Sequence, residues 1–200
     1  MKIILASASP RRKTLLDSLL NKYNLGYSIM TNNINEDTIK ENDFPPDELV
    51  KKLSYLKAEE IFLKQMYKNK KLVVIGADTI VYFDNKILGK PIDEKDAFRT
   101  LKKLQGKSSE IYTGMTVYIK KNNSIISEEV LSKATVHINK MTDNDINEYI
   151  QTKEPLDKAG SFAIQGIGKK YIQSFDGDFN TIVGLDINSL EKILLKYNLL

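Results

Sequence analysis

The chain of 200 residues contains no cysteine, which excludes disulfides, thiolate nucleophiles and cysteine–metal sites. No apolar run approaches the ~20 residues of a membrane-spanning helix, and the apolar segment KIILA near the start is too short for a signal peptide. Hydrophobic residues make up 42% and charged residues 28% of the chain, so an ample core is expected. We therefore expect a cytoplasmic protein without a membrane partner.

An excess of charge of one sign is also lacking. The net charge is +4, and the basic residues are spread along the chain without an arginine-rich tail. Because a nucleic-acid interface needs a clustered basic face, a small anionic substrate is the more economical interpretation. The one histidine, His137, lies on a predicted strand, where a structural role is favoured and the neighbouring sequence indicates no Ser–His–Asp arrangement.

The apolar pattern predicts a mixed α/β fold with a central β-hairpin. The predicted strands are KIILA, YSIMT, LVVIGADTIVYF, the hairpin pair EIYTGMTVYIKK and SIISEEVLSKATVHI, and the pair KKYIQSF and TIVGLDI around a DGD turn. The predicted helices are residues 10–23, residues 46–66, DEKDAFRTLKKL capped by Asp93, TDNDINEYI and residues 187–198.

The motif SASPRR, directly after the first strand, indicates an anion site. Ser9 is a suitable N-cap and Pro10 suits the first helical position. Arg11 and Arg12 then lie in the first turn, where the helix dipole makes each cation unfavourable by about 0.3–1 kcal/mol. A bound anion would offset this cost, since backbone N–H groups, the hydroxyls of Ser7 and Ser9 and two guanidiniums would converge on it. The alternative is that both arginines extend into solvent.

Two acidic residues and two lysines are further candidates for the site. Asp78 lies in the apolar segment LVVIGADTIVYF, so its carboxylate must be paired, metal-bound or at a cleft. Lys57 falls on the core-facing arc of its helix, where it is a candidate phosphate ligand, although lysines usually extend from such positions to solvent. Lys90 precedes Pro91, which favours an extended backbone. Glu36 could join Asp78 in a metal site, or be an ordinary loop acid.

The segment KAGSFAIQGIGKKY points to a base-recognition loop. Its glycines permit close approach of the backbone to a ligand, and the amide of Gln165 can both donate to and accept from a base edge. Neither a P-loop nor a complete G-x-G-x-x-G motif occurs, which disfavours those nucleotide-binding classes. A basic helix end, lysines, two acids and a glutamine together suit the attack of water on a polyphosphate, with cations neutralising charge.

Seven segments in the same order resemble the Maf family of nucleoside triphosphate pyrophosphatases, over nearly the whole chain. They are LASASPRRKTLL, LSYLKAEEI, GADTIV, LGKPIDEKDA, YTGMTV, EPLDKAGSFAIQG and FDGDFNTIVGL. The resemblance implies the two-lobed α/β fold of inosine triphosphatases, in a single domain over residues 1–200, with an active site in an inter-lobe cleft. It further implies hydrolysis of a nucleoside triphosphate to the monophosphate and pyrophosphate with Mg²⁺ or Mn²⁺.

The resemblance also assigns roles to individual residues. Asp78 matches the family's general base, with Lys57 and Lys90 beside it in the catalytic set and with Glu36 and Asp78 as metal ligands. The residues that match its substrate-binding positions are Ser7, Ser9, Arg11, Arg12, Thr79 and Gln165. Thr79 and Gln165 resemble the branch that acts on dTTP and UTP.

Other readings stay open alongside dTTP and UTP. The same chemistry could act on modified purine nucleotides such as 7-methyl-GTP, or the chain could be a non-catalytic, nucleotide-binding regulator of septum formation. A homodimer is open as an alternative to a monomer. The chain departs from the family pattern at Ser109, where many members have histidine, and at Asp186, where they have proline.

Overall fold

The computed structural model describes residues 1–35, 39 and 44–200, which form two compact units. The first unit comprises Met1–Thr79, Thr113–Ser132 and Gly184–Leu200, and the second comprises Ile80–Tyr112 and Lys133–Val183. Among the described residues, seven strands form a mixed sheet in the order β2–β1–β3–β5–β6–β7, with β4 paired to β3. The mixed α/β class predicted from the sequence is confirmed.

The strands are β1 Lys2–Leu5, β2 Ser28–Ile29, β3 Lys71–Phe83, β4 Lys86–Leu88, β5 Ser108–Lys121, β6 Ser124–Ile138 and β7 Ile172–Asp176. The α-helices are α1 Pro10–Leu20, α2 Pro46–Gln65, α3 Glu94–Leu104, α4 Asp143–Gln151, α5 Phe179–Val183 and α6 Ile187–Lys196. None of the helices in the described ranges is both long enough and apolar enough to cross a membrane.

The first unit is built on parallel strands. β1 pairs in parallel with β2 and with β3, and Ile3, Ile4 and Leu5 are all buried, as is typical of a parallel strand covered on both faces. Helix α1 begins as predicted, since Ser9 accepts a hydrogen bond from the Arg12 N–H and Pro10 is the first helical residue. The core holds a cluster of apolar residues from β1, α2, β3 and β5: Ile4, Ala6, Ala58, Ile61, Phe62, Leu72, Val74 and Tyr118.

The second unit contains antiparallel pairings and capped helices. β3 and β4 form a hairpin whose turn residues, Asp84 and Asn85, both have positive φ, as two-residue hairpin turns require. Asp93 caps α3 as predicted, by accepting a hydrogen bond from the Asp96 N–H at 2.7 Å. Thr142 and Asp145 form a reciprocal capping box at the start of α4.

One predicted strand is wrong. The segment TIVGLDI is not a strand: its first three residues lie in helix α5, and its last begins helix α6. The Asp178 carboxylate accepts a hydrogen bond from the Asn180 N–H at 2.6 Å, and the Thr181 N–H bonds the Asp178 carbonyl at 3.1 Å. This local capping outweighs the strand preference of the β-branched residues.

His137 joins a serine and an aspartate, an arrangement that the neighbouring sequence did not indicate. Its Nδ1 lies 2.7 Å from the Ser108 hydroxyl, and its Nε2 lies 2.8 Å from the Asp176 carboxylate. The three side chains link the adjacent strands β5, β6 and β7. Ser108 and Asp176 are exposed, so these hydrogen-bonded contacts between strands lie on the solvent-facing side of the sheet.

Candidate active site

A buried ion pair lies at the centre of the candidate site in the first unit. The Lys57 ammonium on α2 donates to Oδ1 of Asp78 on β3 at 2.5 Å, and the two side chains are only 10% and 11% exposed. Burial of either charge alone would be costly, so each stabilises the other. Lys57 therefore does not extend to solvent, and Asp78 is paired.

Two glycines allow α2 to approach the sheet closely enough for this pair. A Cβ on Gly76 of β3 would lie 2.5 Å from the Ser54 carbonyl oxygen and 2.7 Å from the Ala58 nitrogen. A Cβ on Gly114 of β5 would lie 2.3 Å from the Val50 carbonyl oxygen. Both distances are shorter than real Cβ atoms tolerate, so the helix backbone rests directly on the two strands.

Arg12 is held in place by three groups of the same unit. Its Nε donates to the Gly184 carbonyl at 2.8 Å, Nη1 to the Ser7 hydroxyl at 3.2 Å, and Nη2 to the Thr79 hydroxyl at 3.2 Å. The Ser7 hydroxyl also accepts from the Ser9 N–H at 3.2 Å. The Arg12 side chain thus lies against Thr79 of β3 and does not extend into solvent, contrary to the alternative interpretation.

The hydroxyl of Thr79 has a further partner. Its Oγ1 lies 2.9 Å from Oγ1 of Thr113 on β5, and Thr113 is 1% exposed. A Cβ added to Gly184 would lie 3.0 Å from the same Thr79 hydroxyl. Arg12, Thr79, Thr113 and Gly184 therefore form one packed polar group, of which Thr79 is the residue that follows Asp78 in the chain.

Lys90 lies in the second unit, in an exposed ion pair. Its ammonium donates to the Asp157 carboxylate at 2.6 Å, and both side chains are largely exposed. The hydrogen bond from Lys90 lowers the pKa of Asp157. The backbone beside Lys90 is also tied down, because the Gly160 N–H bonds the Gly89 carbonyl at 3.0 Å. The charged end of Lys90 is therefore exposed to solvent, while the adjacent backbone is held by a hydrogen bond.

Gln165 also lies in the second unit, on a loop held by Glu154. The Glu154 carboxylate accepts hydrogen bonds from the Gly168 N–H at 2.8 Å, the Ile167 N–H at 3.2 Å and the Tyr149 hydroxyl at 2.8 Å. Burial, together with the hydrogen bond to Glu154, raises the pKa of Tyr149, which keeps that hydroxyl a proton donor. Gln165 itself is exposed, and it directly precedes the segment that these hydrogen bonds hold.

The first unit thus brings together five of the predicted residues in direct contacts: Lys57 with Asp78, and Arg12 with Ser7 and Thr79. Ser9 joins them through its backbone N–H, and Arg11 lies partly exposed in the same helical turn. Lys90 and Gln165 lie in the second unit, each described above in its own surroundings. Glu36 lies outside the described residues, and within the described ranges no cluster of three histidine or acidic side chains is positioned to hold a metal ion.

Sequence reasoning missed three contributors: Thr113, Gly184 and Glu154. Thr113 and Gly184 contact site residues far away in sequence, and a lone threonine on a strand or a glycine after an apolar run carries no signal of that contact. Glu154 opens the segment EPLDKAGSFAIQG, where only the glycines and the glutamine have an evident chemical meaning.

Comparison with known proteins agrees with the motif order. Residues 2–197 match the family model described as Maf-like protein. A dTTP/UTP pyrophosphatase of Clostridium botulinum (strain Eklund 17B / Type B) is 43% identical over 194 residues, which are 97% of this chain and 98% of that protein. Another dTTP/UTP pyrophosphatase, from Clostridium novyi, is 42% identical over 96% of both chains. A third, from Caldicellulosiruptor bescii, is 40% identical over 98% of this chain and 94% of its own.

Proposed function

The chain belongs to the Maf family, and from this premise we propose that it hydrolyses nucleoside triphosphates, preferably dTTP and UTP, to the monophosphate and pyrophosphate. The Clostridium and Caldicellulosiruptor relatives named dTTP/UTP pyrophosphatase match this chain over nearly their whole length. In the cell, such an enzyme removes unwanted nucleotides from the cytoplasmic pool.

The observation that carries the proposal is the buried Lys57–Asp78 pair, in the same unit as the anchored Arg12. A protein that only binds nucleotides needs cations for the phosphates, but it does not need a desolvated carboxylate among them. Such a carboxylate repels an anionic substrate and is tolerated where it performs chemistry. This combination favours an enzyme over a non-catalytic regulator of septum formation.

In the proposed mechanism, Asp78 is the general base. Its carboxylate accepts a proton from a water molecule, and the resulting oxygen nucleophile attacks the α-phosphorus. The bond between that phosphorus and the oxygen bridging to the β-phosphate breaks, and pyrophosphate leaves with the bonding electron pair. Lys57 orients Asp78 through their hydrogen bond, while Arg11, Arg12 and Lys90 supply positive charge for the phosphates. The Ser7 and Ser9 hydroxyls and the N-terminus of α1 add hydrogen-bond donors.

A divalent cation, Mg²⁺ or Mn²⁺, is part of the proposal, with Asp78 and Glu36 as its protein ligands. Mg²⁺ is commonly bound through one or two carboxylates and completes its shell with substrate phosphates and water. The carboxylate of Asp78 fits that donor set. When bound, the ion would neutralise charge on the triphosphate.

Base selection is assigned to Gln165 and Thr79. An amide can pair with both the N3–H and a carbonyl of uracil or thymine, whereas cytosine reverses part of that pattern. A mismatched polar group in a dry site costs roughly 1–3 kcal/mol. We therefore expect dTTP and UTP to be used comparably and well ahead of CTP.

A substrate screen with pyrophosphate detection tests the proposal. The full chain is assayed with Mg²⁺ against all canonical nucleoside triphosphates and 7-methyl-GTP, in parallel with Asp78→Asn and the surface control Asp143→Asn. We expect dTTP and UTP to lead, Asp78→Asn to lose on the order of 10²–10⁴ in rate, and the control to retain its activity. Preference for 7-methyl-GTP or CTP would overturn the substrate assignment, and full activity of Asp78→Asn would overturn the role of the base.

A further inference from the structure

A surface cavity of about 500 Å³ lies in the first unit, at the start of β3. Its lining includes four lysines and two asparagines: Lys2, Lys68, Lys70, Lys71, Asn69 and Asn122. Among the described residues that line it there is no carboxylate. In the part of the chain that the structure describes, none of the four lysines forms an ion pair with an acidic side chain. The cavity therefore concentrates positive charge that its own lining does not neutralise.

Backbone contacts between three segments bring these lysines together. β1 pairs in parallel with β3, with Lys2 opposite Leu72, so Lys2 and Lys71 both lie at the amino-terminal ends of neighbouring strands. The Asn122 N–H, in the turn between β5 and β6, donates to the Lys70 carbonyl at 3.1 Å. That turn is thereby held against the segment that carries the other lysines, so the grouping of charge is a property of the fold.

The carboxyl end of α2 offers a structural reason for cations here, because its carbonyls carry partial negative charge. Those groups already have partners. Lys2 donates to Oε1 of Gln65 at 3.2 Å, and the side-chain amide of Asn69 donates to the Gln65 carbonyl at 3.0 Å. The Lys120 ammonium donates to the Met66 carbonyl. The other three lysines of the cavity are exposed and have no such contact within the described ranges, so the helix end does not account for them.

The cavity is distinct from the candidate active site. It lies at the amino-terminal ends of β1 and β3, whereas the SASPRR motif follows the carboxyl end of β1. Asp78 lies further along β3, about 23 Å from Lys71 at a rise of about 3.3 Å per residue. An anion in the cavity would therefore not contact the groups of this unit that are assigned to the triphosphate substrate.

We propose that this lysine-lined cavity binds a short inorganic polyphosphate anion. Ammonium groups of like charge repel each other, and an anion with several charges offsets that repulsion at more lysines than a singly charged ion can. The described lining supplies ammonium and amide donors and no aromatic side chain, which suits a phosphate chain rather than a nucleobase. The inference does not depend on the proposed pyrophosphatase function, since none of these residues takes part in it.

Binding of inorganic tripolyphosphate is followed residue by residue in two-dimensional amide NMR spectra of the full chain, recorded without divalent metal. We expect saturable shifts of the backbone amides of residues 68–71 and of Asn122, with an affinity that falls as sodium chloride is raised. Orthophosphate should bind more weakly at the same amides, because it carries fewer charges. Shifts that do not saturate, or equal affinity for the two anions, would overturn the inference.

Three variants assign the binding to the cavity, with the Asn122 amide as the common reporter. The first neutralises the exposed lysines of the cavity: Lys68→Gln/Lys70→Gln/Lys71→Gln. The control removes the same charge from exposed lysines elsewhere: Lys95→Gln/Lys103→Gln/Lys192→Gln. The third, Arg11→Ala, weakens the candidate active site. Melting temperatures show that each variant is folded, and Lys70→Gln alone replaces the first variant if that one does not fold.

We expect the cavity variant to weaken tripolyphosphate binding by roughly tenfold or more and the control to weaken it by less than about threefold, because scattered exposed charges each contribute little. Arg11→Ala should leave the affinity at Asn122 unchanged. Equal losses in the cavity variant and the control would show that net charge alone attracts the anion, and a loss in Arg11→Ala would place the binding at the active site. Either result would overturn the inference, as would tighter binding of a short oligodeoxythymidylate than of tripolyphosphate at these amides.

Discussion

At the scale of single residues, the site depends on charges and hydroxyls whose partners decide their effect. Asp78 and Lys57 are each buried, and removal of one partner of such a pair typically costs about 3–5 kcal/mol. By contrast, the Lys102–Asp143 pair is exposed, and such pairs contribute little. Stability measurements on the Asp78 variant are therefore needed beside its kinetics, so that lost chemistry is separated from lost folding.

Removal of the Ser109 hydroxyl is expected to stabilise the chain, whereas removal of a partner from the Lys57–Asp78 pair would destabilise it. Its side chain is 1% exposed, and among the described residues its hydroxyl has no hydrogen-bond partner. A buried unsatisfied hydroxyl is unfavourable by about 1–3 kcal/mol. We expect Ser109→Ala to raise the free energy of unfolding by roughly 1 kcal/mol, or about 2–4 °C in melting temperature, as measured by thermal denaturation.

Ser108 is the matched control for this substitution. It is adjacent in sequence, but it is exposed and its hydroxyl bonds Nδ1 of His137 at 2.7 Å. Ser108→Ala should leave stability unchanged or lower it slightly. If Ser109→Ala is the more destabilising of the two, the buried hydroxyl has a partner that stabilises it, and the prediction is wrong.

At the scale of elements, the contact of α2 with β3 positions the catalytic pair. Gly76→Ala would place a Cβ 2.5 Å from the Ser54 carbonyl oxygen, and since that atom is backbone, the helix must move as a whole. We expect a loss of about 2–4 kcal/mol in the free energy of unfolding, by analogy with other overpacked sites. The displaced helix should also separate Lys57 from Asp78 and lower kcat.

Gly26→Ala is the control, because a Cβ there would meet no atom within 4 Å. It should change neither stability nor kcat measurably. Chemical denaturation and turnover of dTTP are the two measurements. If Gly76→Ala and Gly26→Ala behave alike, the close approach of α2 to the sheet is not what holds the pair together.

Asp186 shows how a departure from the family pattern can be structural. Its carboxylate caps α6 by accepting from the Ser189 N–H at 2.9 Å and the Ser189 hydroxyl at 2.8 Å, and it accepts from Ser132 at 2.5 Å. Burial opposes its ionisation, but these hydrogen bonds outweigh burial and lower the pKa of Asp186 below its usual 3.8.

A lowered carboxyl pKa predicts a pH dependence with a definite sign. The contribution of Asp186 to stability is present above its unfolded pKa, near 4, and is lost as the pH falls through the lower, folded value. We expect Asp186→Asn to lose about 1 kcal/mol at pH 7 and to narrow its gap from the parent below pH 4. Urea denaturation from pH 2.5 to pH 7 measures both. A gap that widens in acid would contradict the assignment.

The elements also show what local sequence could and could not predict. Helices α1 and α3 begin where Ser9 and Asp93 were expected to cap them, because a cap is a local interaction. The segment TIVGLDI was misassigned because its helical turn depends on Asp178, outside the window of β-branched residues. Asp78 and Lys57 were found because a charge in an apolar pattern is itself a signal. Thr113 carried none, since its meaning lies in a contact with Thr79, 34 residues away.

At the scale of the whole molecule, the two units are each assembled from segments distant in sequence. No local pattern reports such a division, and the expectation of a single domain over residues 1–200 stays a prediction. The proposed substrate-binding residues occur in both units, with Arg12 and Thr79 in the first and Gln165 in the second. The stability of the whole chain toward heat can therefore report nucleotide binding without any turnover.

A ligand that binds only the folded chain stabilises it by mass action. We expect α,β-methylene-dTTP, which cannot be cleaved at the α–β bridge, to stabilise the chain by about 2.7 kcal/mol at a hundred times its Kd with Mg²⁺ present. For a chain of this size the melting temperature would rise by roughly 5–10 °C.

The matching CTP analogue should give a smaller rise in melting temperature at equal concentration. The variants Arg11→Ala and Gln165→Ala should each reduce the rise that the dTTP analogue causes. Replacing Mg²⁺ with EDTA should also reduce it, because the triphosphate would then meet the Asp78 carboxylate without a neutralising ion. An equal shift in chelator would show that the lysines and arginines bind the phosphates unaided, and equal shifts with the two analogues would show that the base is not read on binding.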